Sequence, residues 1–317
     1  MQGGLTAYVL VGPTCTGKSA VAQILAERFG RDIVSADSML VYRGMNIGTA
    51  KPTPTEIRRA RIRMVDVAEP FERYSVGLYR EAALQALRDI RDAGREAIVV
   101  GGSGLYLKTL LSGMRKAPKA HPAFRLKCET LLRQQGLSAL QKALQTKAPG
   151  LWAVFPDPKN PPRLIRALEI LEFGETDSTP QLWRDPNDSH PVVGLIYPND
   201  VLNRRINARI DEMYRQGLLN EVAELMSRHP FLSLTASHAI GYADAIACLE
   251  NRCLASEAKA MTATRTRQFA KRQRTWFRKQ MNVVWVEPDE NADAADVAQQ
   301  VAAAWERLGP APIAESD

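Results

Sequence analysis

A chain of 317 residues in which 45% are hydrophobic is long enough for a large buried core, as one large domain with an insertion or as two domains, and too apolar for a disordered segment. Its net charge of +7 favours a polyanionic partner. No uncharged apolar run of membrane-spanning length occurs, Met1-Gln2-Gly3-Gly4 leads into a strand-like run, and Cys15, Cys128, Cys248 and Cys253 form neither a C-x-x-C pair nor a cluster with the histidines. A reduced, cytoplasmic protein with no signal peptide and no membrane contact is expected.

Ala7-Tyr8-Val9-Leu10-Val11 is apolar and rich in β-branched residues, which predicts a buried strand. It runs into Gly12-Pro13-Thr14-Cys15-Thr16-Gly17-Lys18-Ser19, which fills every fixed position of the phosphate-loop pattern G-x-x-x-x-G-K-[ST]. Val21, Ile24, Leu25 and Arg28 then follow at helical spacing. Glycines let consecutive N–H groups converge on one anion, and the positive end of the helix adds its field. Lys18 supplies a point charge and Ser19 a hydroxyl placed to ligate Mg²⁺. A phosphate-bearing ligand is expected here.

Asp32 to Ala36 predicts a second strand, with Asp37 just past its C-terminal end, where open α/β sheets bind ligands. Taken alone, Asp37 reads equally as a turn residue. The glycine-punctuated loop from Ser38 to Pro52 is long enough to be functional. Ser75 to Ala93 predicts an amphipathic helix, and Ala97 to Val100 a third strand running into Gly101-Gly102-Ser103-Gly104. Phosphate-loop ATPases and GTPases hold their metal with an acidic residue at that point. Glycine and serine there argue against a standard nucleotide hydrolase.

From Met114 to Pro191 strand signals fade, prolines cluster and helical patterns take over at Phe124 to Gln134, Ser138 to Thr146 and Arg163 to Phe173. The organisation expected is therefore an α/β phosphate-loop parallel sheet flanked by helices (residues 1–114 plus 191–317) carrying a helical insertion lobe (115–190). Val192 to Tyr197 returns to strand; helices follow at Asn203 to Gln216, Leu218 to Ser227 and Ser237 to Asn251, and a mobile tail is expected from Gly309. Ala258 to Val286 holds eight lysines and arginines and no acidic residue; Arg267, Lys271, Arg274 and Arg278 make one helical stripe. A one-sign stripe repels itself unless it meets phosphates, which points to nucleic acid, with Trp276 and Phe277 read as core.

These segments together resemble the tRNA dimethylallyltransferases, the IPP transferase family. The resemblance is carried by the phosphate loop, Ser35 to Met39 with Gly48-Thr49-Ala50-Lys51-Pro52, Gly101 to Tyr106, Arg163 to Glu169, Ile240-Gly241-Tyr242 and Arg267 to Gln273, and it spans residues 5 to 287. It implies that Gly12 to Ser19 hold the diphosphate of dimethylallyl diphosphate, with Mg²⁺ on Ser19. It further implies that Asp37 accepts a proton or hydrogen bond from an adenine amine, that Ser103 lies near the leaving group, and that Arg209 grips the diphosphate from the opposite side. The tRNA anticodon arm would meet Asp37, Ser38, Met39, Leu40, Ser103, Arg125, Pro162, Arg163, Leu164, Ile165 and Arg166. It would also meet His238, Ala239, Ile240, Gly241, Tyr242, Lys271, Arg272, Gln273, Arg274, Thr275, Trp276, Phe277 and Arg278. The target adenine would have to be flipped out of its stack to reach the site. The chain departs from the usual family pattern at Ile62-Arg63, Pro162, His238, Ala243 and Gly174-Glu175-Thr176-Asp177. A monomer is expected. Rival readings are a prenyltransferase acting on free adenylate, a small-molecule or nucleotide kinase using ATP at the same loop, and an RNA-binding module with a dead site.

Overall fold

A computed structural model of the chain describes residues 4–114, 118, 120–174 and 190–315. Of the departures noted above, Glu175, Thr176 and Asp177 lie outside the described residues. Two compact units emerge, one of residues 1–113 with 185–316, the other of residues 114–184 with residue 317.

In the larger unit the N-terminal half runs β1 (Thr6–Val11), α1 (Lys18–Phe29), β2 (Asp32–Ser35), α2 (Pro54–Arg59), β3 (Ile62–Arg63), α3 (Val76–Asp92), β4 (Ala97–Gly101) and α4 (Gly104–Ser112). The smaller unit holds α5 (Pro122–Gln135), α6 (Leu137–Lys147), α7 (Pro149–Ala153) and α8 (Pro161–Phe173). The chain returns to the larger unit as β5 (Val192–Leu195), α9 (Asn199–Arg215), α10 (Leu218–Arg228), α11 (Leu234–Ser237), α12 (Tyr242–Leu249), α13 (Ala255–Gln280), β6 (Val283–Val286), α14 (Ala294–Leu308) and β7 (Ala311–Pro312).

The strands form one sheet in the order β3-β2-β4-β1-β5-β6, all parallel, with β7 added antiparallel to β1. Side chains alternate across it. Val9, Val11, Val34 and Val99 pack with Tyr79, Leu87 and Ile90 of α3 and Leu107 and Leu110 of α4. Leu10, Ile33, Ile98 and Val193 pack with Val21 and Leu25 of α1 and Val301 and Trp305 of α14. Both faces are covered, which is why these strands read as unbroken apolar runs. The chain leaves β1 to pair with β4 on one side and β5 on the other, so the loop after β1 opens at the point where strand order reverses, the usual ligand site of such sheets.

A third cluster packs the loop after β2 onto the last helices, with Val41, Tyr42 and Met45 against Leu218, Val222, Leu225 and Tyr242. In the smaller unit α5, α6 and α8 bury Cys128, Leu140, Leu144, Leu164, Ile165 and Leu168 together.

Four features differ from the sequence expectation. The helix expected from Ser237 begins only at Tyr242, because Gly241 takes a φ of 88° and breaks the turn. The basic stretch ends as a helix at Gln280, and Val283 to Val286 pairs with β5 as an edge strand. A short helix that the sequence reading does not include runs from Pro54, started by Thr53-Pro54-Thr55-Glu56, a capping box with proline at the first position. The tail is not loose where it is described: Ala311 and Pro312 pair with Ala7 and Thr6, Ile313 is buried, and Ala314 O accepts from Arg80 Nη2 at 2.9 Å.

Candidate active site

The phosphate loop owes its curvature to three positive φ angles, at Gly12 (151°), Cys15 (65°) and Gly17 (82°). At Gly12 a Cβ would lie 2.6 Å from Leu195 O, so only glycine fits between β1 and β5. The Pro13 carbonyl accepts both the Thr16 hydroxyl at 3.0 Å and the Lys18 ammonium at 3.1 Å. Lys18 is buried, and burial lowers its pKa. The charge of Asp37 opposes that shift and the charge of Arg209 adds to it. Among the described residues the Lys18 ammonium donates to the Pro13 carbonyl, and a buried cation gains from an anion brought to the loop.

Two long elements brace the loop from outside. Helices α9 and α13 pack through Val201, Ile206, Ile210 and Ala270. From α9, Arg205 Nε donates to Cys15 O at 3.0 Å, and Arg209 donates to Thr14 Oγ1 at 3.2 Å and to Thr49 O at 3.0 Å. From α13, buried Gln273 accepts the Thr14 N–H at 2.8 Å and donates to Gly102 O at 2.9 Å.

Asp37 and Ser103 stand side by side beyond the ends of β2 and β4. Ala36 N donates to Val100 O at 2.7 Å, Ser103 N to Ala36 O at 3.1 Å, and Ser38 N to Ser103 Oγ at 2.9 Å. Gly101 is obligatory at this junction, since a Cβ would come within 2.1 Å of Ala36 O. One Asp37 oxygen accepts the Met39 N–H at 2.8 Å, and the residue is only half-buried, so its carboxylate remains accessible. Behind it Tyr79 stacks on Tyr106 at 3.8 Å, and burial raises the pKa of both phenols, that of Tyr79 well above its ordinary value.

Ser19 lies in the first turn of α1 and is exposed. No cluster of three or more metal-binding side chains occurs among the described residues. The donor set suits Mg²⁺, which keeps several waters and takes substrate phosphate oxygens with one or two protein oxygens.

The residues expected to meet RNA divide by environment. Lys271, Arg272, Thr275 and Arg278 are exposed on α13, and Arg274 and Arg267 are half-buried, donating to Asn199 and Asn207 rather than to carboxylates. Two basic residues nearer the helix's start are neutralised, Lys259 on Asp211 and Arg265 on Asp244. No such pair occurs from Arg267 to Lys279 among the described residues, so the stripe carries its full charge. Trp276 packs over Gly104, where a Cβ would sit 2.2 Å from its ring, and Phe277 is wholly buried. Phe277 is core, Trp276 packs half-buried against the same cluster, and the Gln273 side chain is committed to the phosphate loop and Gly102.

Near the break before α12, His238 is exposed and Ile240 half-buried, while Ala239 and Gly241 are buried and Tyr242 is sealed in the third cluster. In the smaller unit Pro162 and Arg163 are exposed, and Leu164 and Ile165 are core, so their side chains do not offer a contact surface. Arg125 and Arg166 converge on buried Glu169, with Arg125 at 2.8 and 2.7 Å, while the His121 N–H donates at 2.6 Å. Leu40 is likewise buried, and Ser38 and Met39 are half-buried beside Asp37.

A loop of the phosphate-loop pattern opening at the switch point of a parallel sheet, with Asp37 and Ser103 beyond the ends of β2 and β4 and no acidic residue ending β4, marks a P-loop-type α/β protein. Residues 40–280 match the family described as IPP transferase, and the chain belongs to that family. It is 37% identical over 298 residues to a tRNA dimethylallyltransferase of Geobacter sulfurreducens, covering 92% of this chain and 95% of the relative. The crystal structure of a tRNA isopentenylpyrophosphate transferase of Bacillus halodurans superposes with a TM-score of 0.67 at 32% identity, covering 95% of this chain and 97% of that one. A eukaryotic dimethylallyltransferase acting on tRNA shares the fold, with a TM-score of 0.69 at 22% identity over 96% of this chain and 76% of that one.

Proposed function

We propose that this enzyme transfers the dimethylallyl group of dimethylallyl diphosphate to the N6 amine of the adenosine 3′-adjacent to the anticodon of tRNA, as a cytoplasmic monomer. The observation that carries the reading is the junction of Asp37 and Ser103 against the phosphate loop: Ser103 Oγ accepts the Ser38 N–H at 2.9 Å, and a Cβ on the adjoining Gly102 would lie 3.3 Å from Gly12 O. The diphosphate lies in residues 12–19, where Lys18 leaves the Pro13 carbonyl for a phosphate oxygen. Arg209 closes over it from α9. The N6 nitrogen attacks the allylic carbon, the C–O bond to the diphosphate breaks, and pyrophosphate leaves with the electron pair. The Asp37 carboxylate takes the amine proton, using the oxygen not engaged by Met39 N–H. Lys18 and Arg209 neutralise the growing charge on the leaving group. Ser19 would hold Mg²⁺, which when bound would supply further charge neutralisation at the leaving group. The uncompensated stripe from Arg267 to Lys279 supports tRNA over free adenylate as acceptor, because a mononucleotide needs no such surface.

The test is transfer of labelled dimethylallyl diphosphate to an anticodon stem-loop, to AMP, and to the stem-loop with its target adenosine changed to guanosine, each repeated with Asp37→Ala. Label on the first acceptor only, lost with the variant, is expected. Label on AMP would make the chain an adenylate prenyltransferase, and hydrolysis of ATP without transfer would favour a kinase.

A further inference from the structure

The loop after β2 carries no helix or long strand of its own between Ser38 and Thr53, yet it supplies the Thr49 carbonyl that holds Arg209. Its core side chains Val41, Tyr42 and Met45 anchor its first half, and one carboxylate gathers the backbone of residues 46–48. Glu221, in the first turn of α10, accepts the N–H groups of Asn46 at 3.0 Å, Ile47 at 2.8 Å and Gly48 at 3.4 Å, and the hydroxyl of Tyr242 at 2.7 Å. The Tyr242 ring closes the arrangement from the other side, because a Cβ on Gly48 would lie 2.4 Å from it. Burial, the Glu221 charge and the hydrogen bond to it raise the Tyr242 pKa, so the phenol stays protonated and donating. Gly48 is followed directly by Thr49, and Arg209 bridges Thr49 O to Thr14 of the phosphate loop.

We propose that Glu221 is a positioning residue for the transfer reaction: it shapes residues 46–49 so that Thr49 O holds the Arg209 guanidinium against the phosphate loop. The inference rests on the diphosphate role of Arg209 given above. It also assigns Tyr242 a place in building the diphosphate site rather than in touching RNA. A carboxylate is required because four donors converge on two oxygens that carry only acceptor sites. Glutamine offers one acceptor oxygen and turns an N–H₂ group toward backbone N–H groups, and aspartate falls one methylene short.

The experiment compares wild type with Glu221→Gln, Tyr242→Phe, Arg209→Ala and the Glu221→Gln/Arg209→Ala double variant. Dimethylallyl diphosphate and tRNA are varied separately, and amide exchange at residues 46–48 is measured in the unliganded protein. Misplacing a substrate-holding group by about 1 Å costs on the order of 100-fold, so Glu221→Gln should lower kcat/KM for the diphosphate by about 10- to 100-fold. The KM for tRNA should stay unchanged, and exchange at Asn46, Ile47 and Gly48 should quicken. The double variant should be no worse than Arg209→Ala alone, since both act through one group. Tyr242→Phe keeps the ring against Gly48 and removes one donor, so it should show the same pattern more weakly even if Glu221→Gln folds poorly. Multiplied losses in the double variant, a raised KM for tRNA alone, or unaltered exchange would overturn the proposal. An Arg209→Ala enzyme with full transfer would instead sink the role of Arg209 and take the Glu221 inference with it. A crippled Arg209→Ala beside an unimpaired Glu221→Gln would sink the inference alone.

Discussion

The Gln273 side chain, in the middle of the basic helix, accepts the Thr14 N–H of the phosphate loop at 2.8 Å. Its amide nitrogen donates to Gly102 O on the neighbouring loop at 2.9 Å, so one neutral side chain fastens the basic helix to two edges of the site. The approach is close, since a Cβ on Gly102 would sit 2.3 Å from Gln273 Nε2.

Gln273→Ala strands a buried carbonyl and a loop N–H at once, at a cost of about 1–3 kcal/mol each where water does not reach. The expected outcome is a raised KM for dimethylallyl diphosphate and a lower melting temperature. Gln273→Glu, which keeps the acceptor for Thr14 and loses the donor for Gly102, should fall between. Unchanged diphosphate kinetics in both variants would show that the loop holds its shape without α13.

The exposed stripe makes a prediction in salt. Lys271→Ala and Arg278→Ala should each weaken tRNA binding and reduce the salt slope by about one phosphate contact. Lys259→Ala is the control, because Asp211 already pairs with Lys259 at 2.8 Å. Equal slopes in all three variants would mean that this face of α13 does not meet the RNA.

The core and the phosphate loop were legible in the sequence because their physics is local. Val9, Leu10, Ile33, Ile98 and Val99 need two covered faces, and Gly12 and Gly17 need positive φ, whatever the rest of the chain does. What was illegible depends on distant partners. Nothing near Ala311 announces that it will pair with Ala7, and a Val-Val-Trp-Val run directly after a basic helix reads as more of the same segment. The same holds for the site. Lys18, Asp37 and Ser103 sit in recognisable patterns, whereas Glu221 looks like an ordinary acid in a helix's first turn until the loop 175 residues earlier in the chain folds onto it. Leu164, Ile165, Tyr242 and Phe277, which the resemblance names among the tRNA-binding segments, have buried side chains, because a motif records that a residue is required and not which way it points.

Asp37→Asn separates proton transfer from folding. Asparagine Oδ1 still accepts the Met39 N–H, so the turn survives, but the amide no longer takes a proton. The rate of transfer should fall by about 100- to 10,000-fold with little change in KM for either substrate, as for loss of a general base. Ser103→Ala should act differently, because it removes the acceptor for Ser38 N and loosens the turn that holds Asp37. Single-turnover rates distinguish the two, and an Asp37→Asn enzyme at the wild-type rate would remove Asp37 from the chemistry.

Glu169 should make the smaller unit acid-sensitive. Burial pushes its carboxyl pKa up, but the hydrogen bonds from Arg125, the His121 N–H and Arg166 outweigh burial and hold it to about 2. In the unfolded chain a glutamate titrates near its ordinary value of about 4.3. The folded-state value is the lower one, so the stabilisation is fully present above about pH 4.3 and drains away as pH falls toward about 2. Glu169→Gln keeps the shape and loses the charge, leaving two partly exposed guanidiniums facing each other across a neutral amide. It should be destabilised by about 2 kcal/mol at neutral pH, within the range for hydrogen bonds to charged groups. Thermal melts of wild type and Glu169→Gln from pH 6 to pH 2.5 read the effect as a difference, which cancels the other carboxylates, including Asp32 under its own arginines. The gap should be wide at pH 6 and close progressively below pH 4. A gap that stays constant to pH 2.5 would mean that Arg125 and Arg166 do not hold Glu169 ionised, and that both arginines are free for another partner.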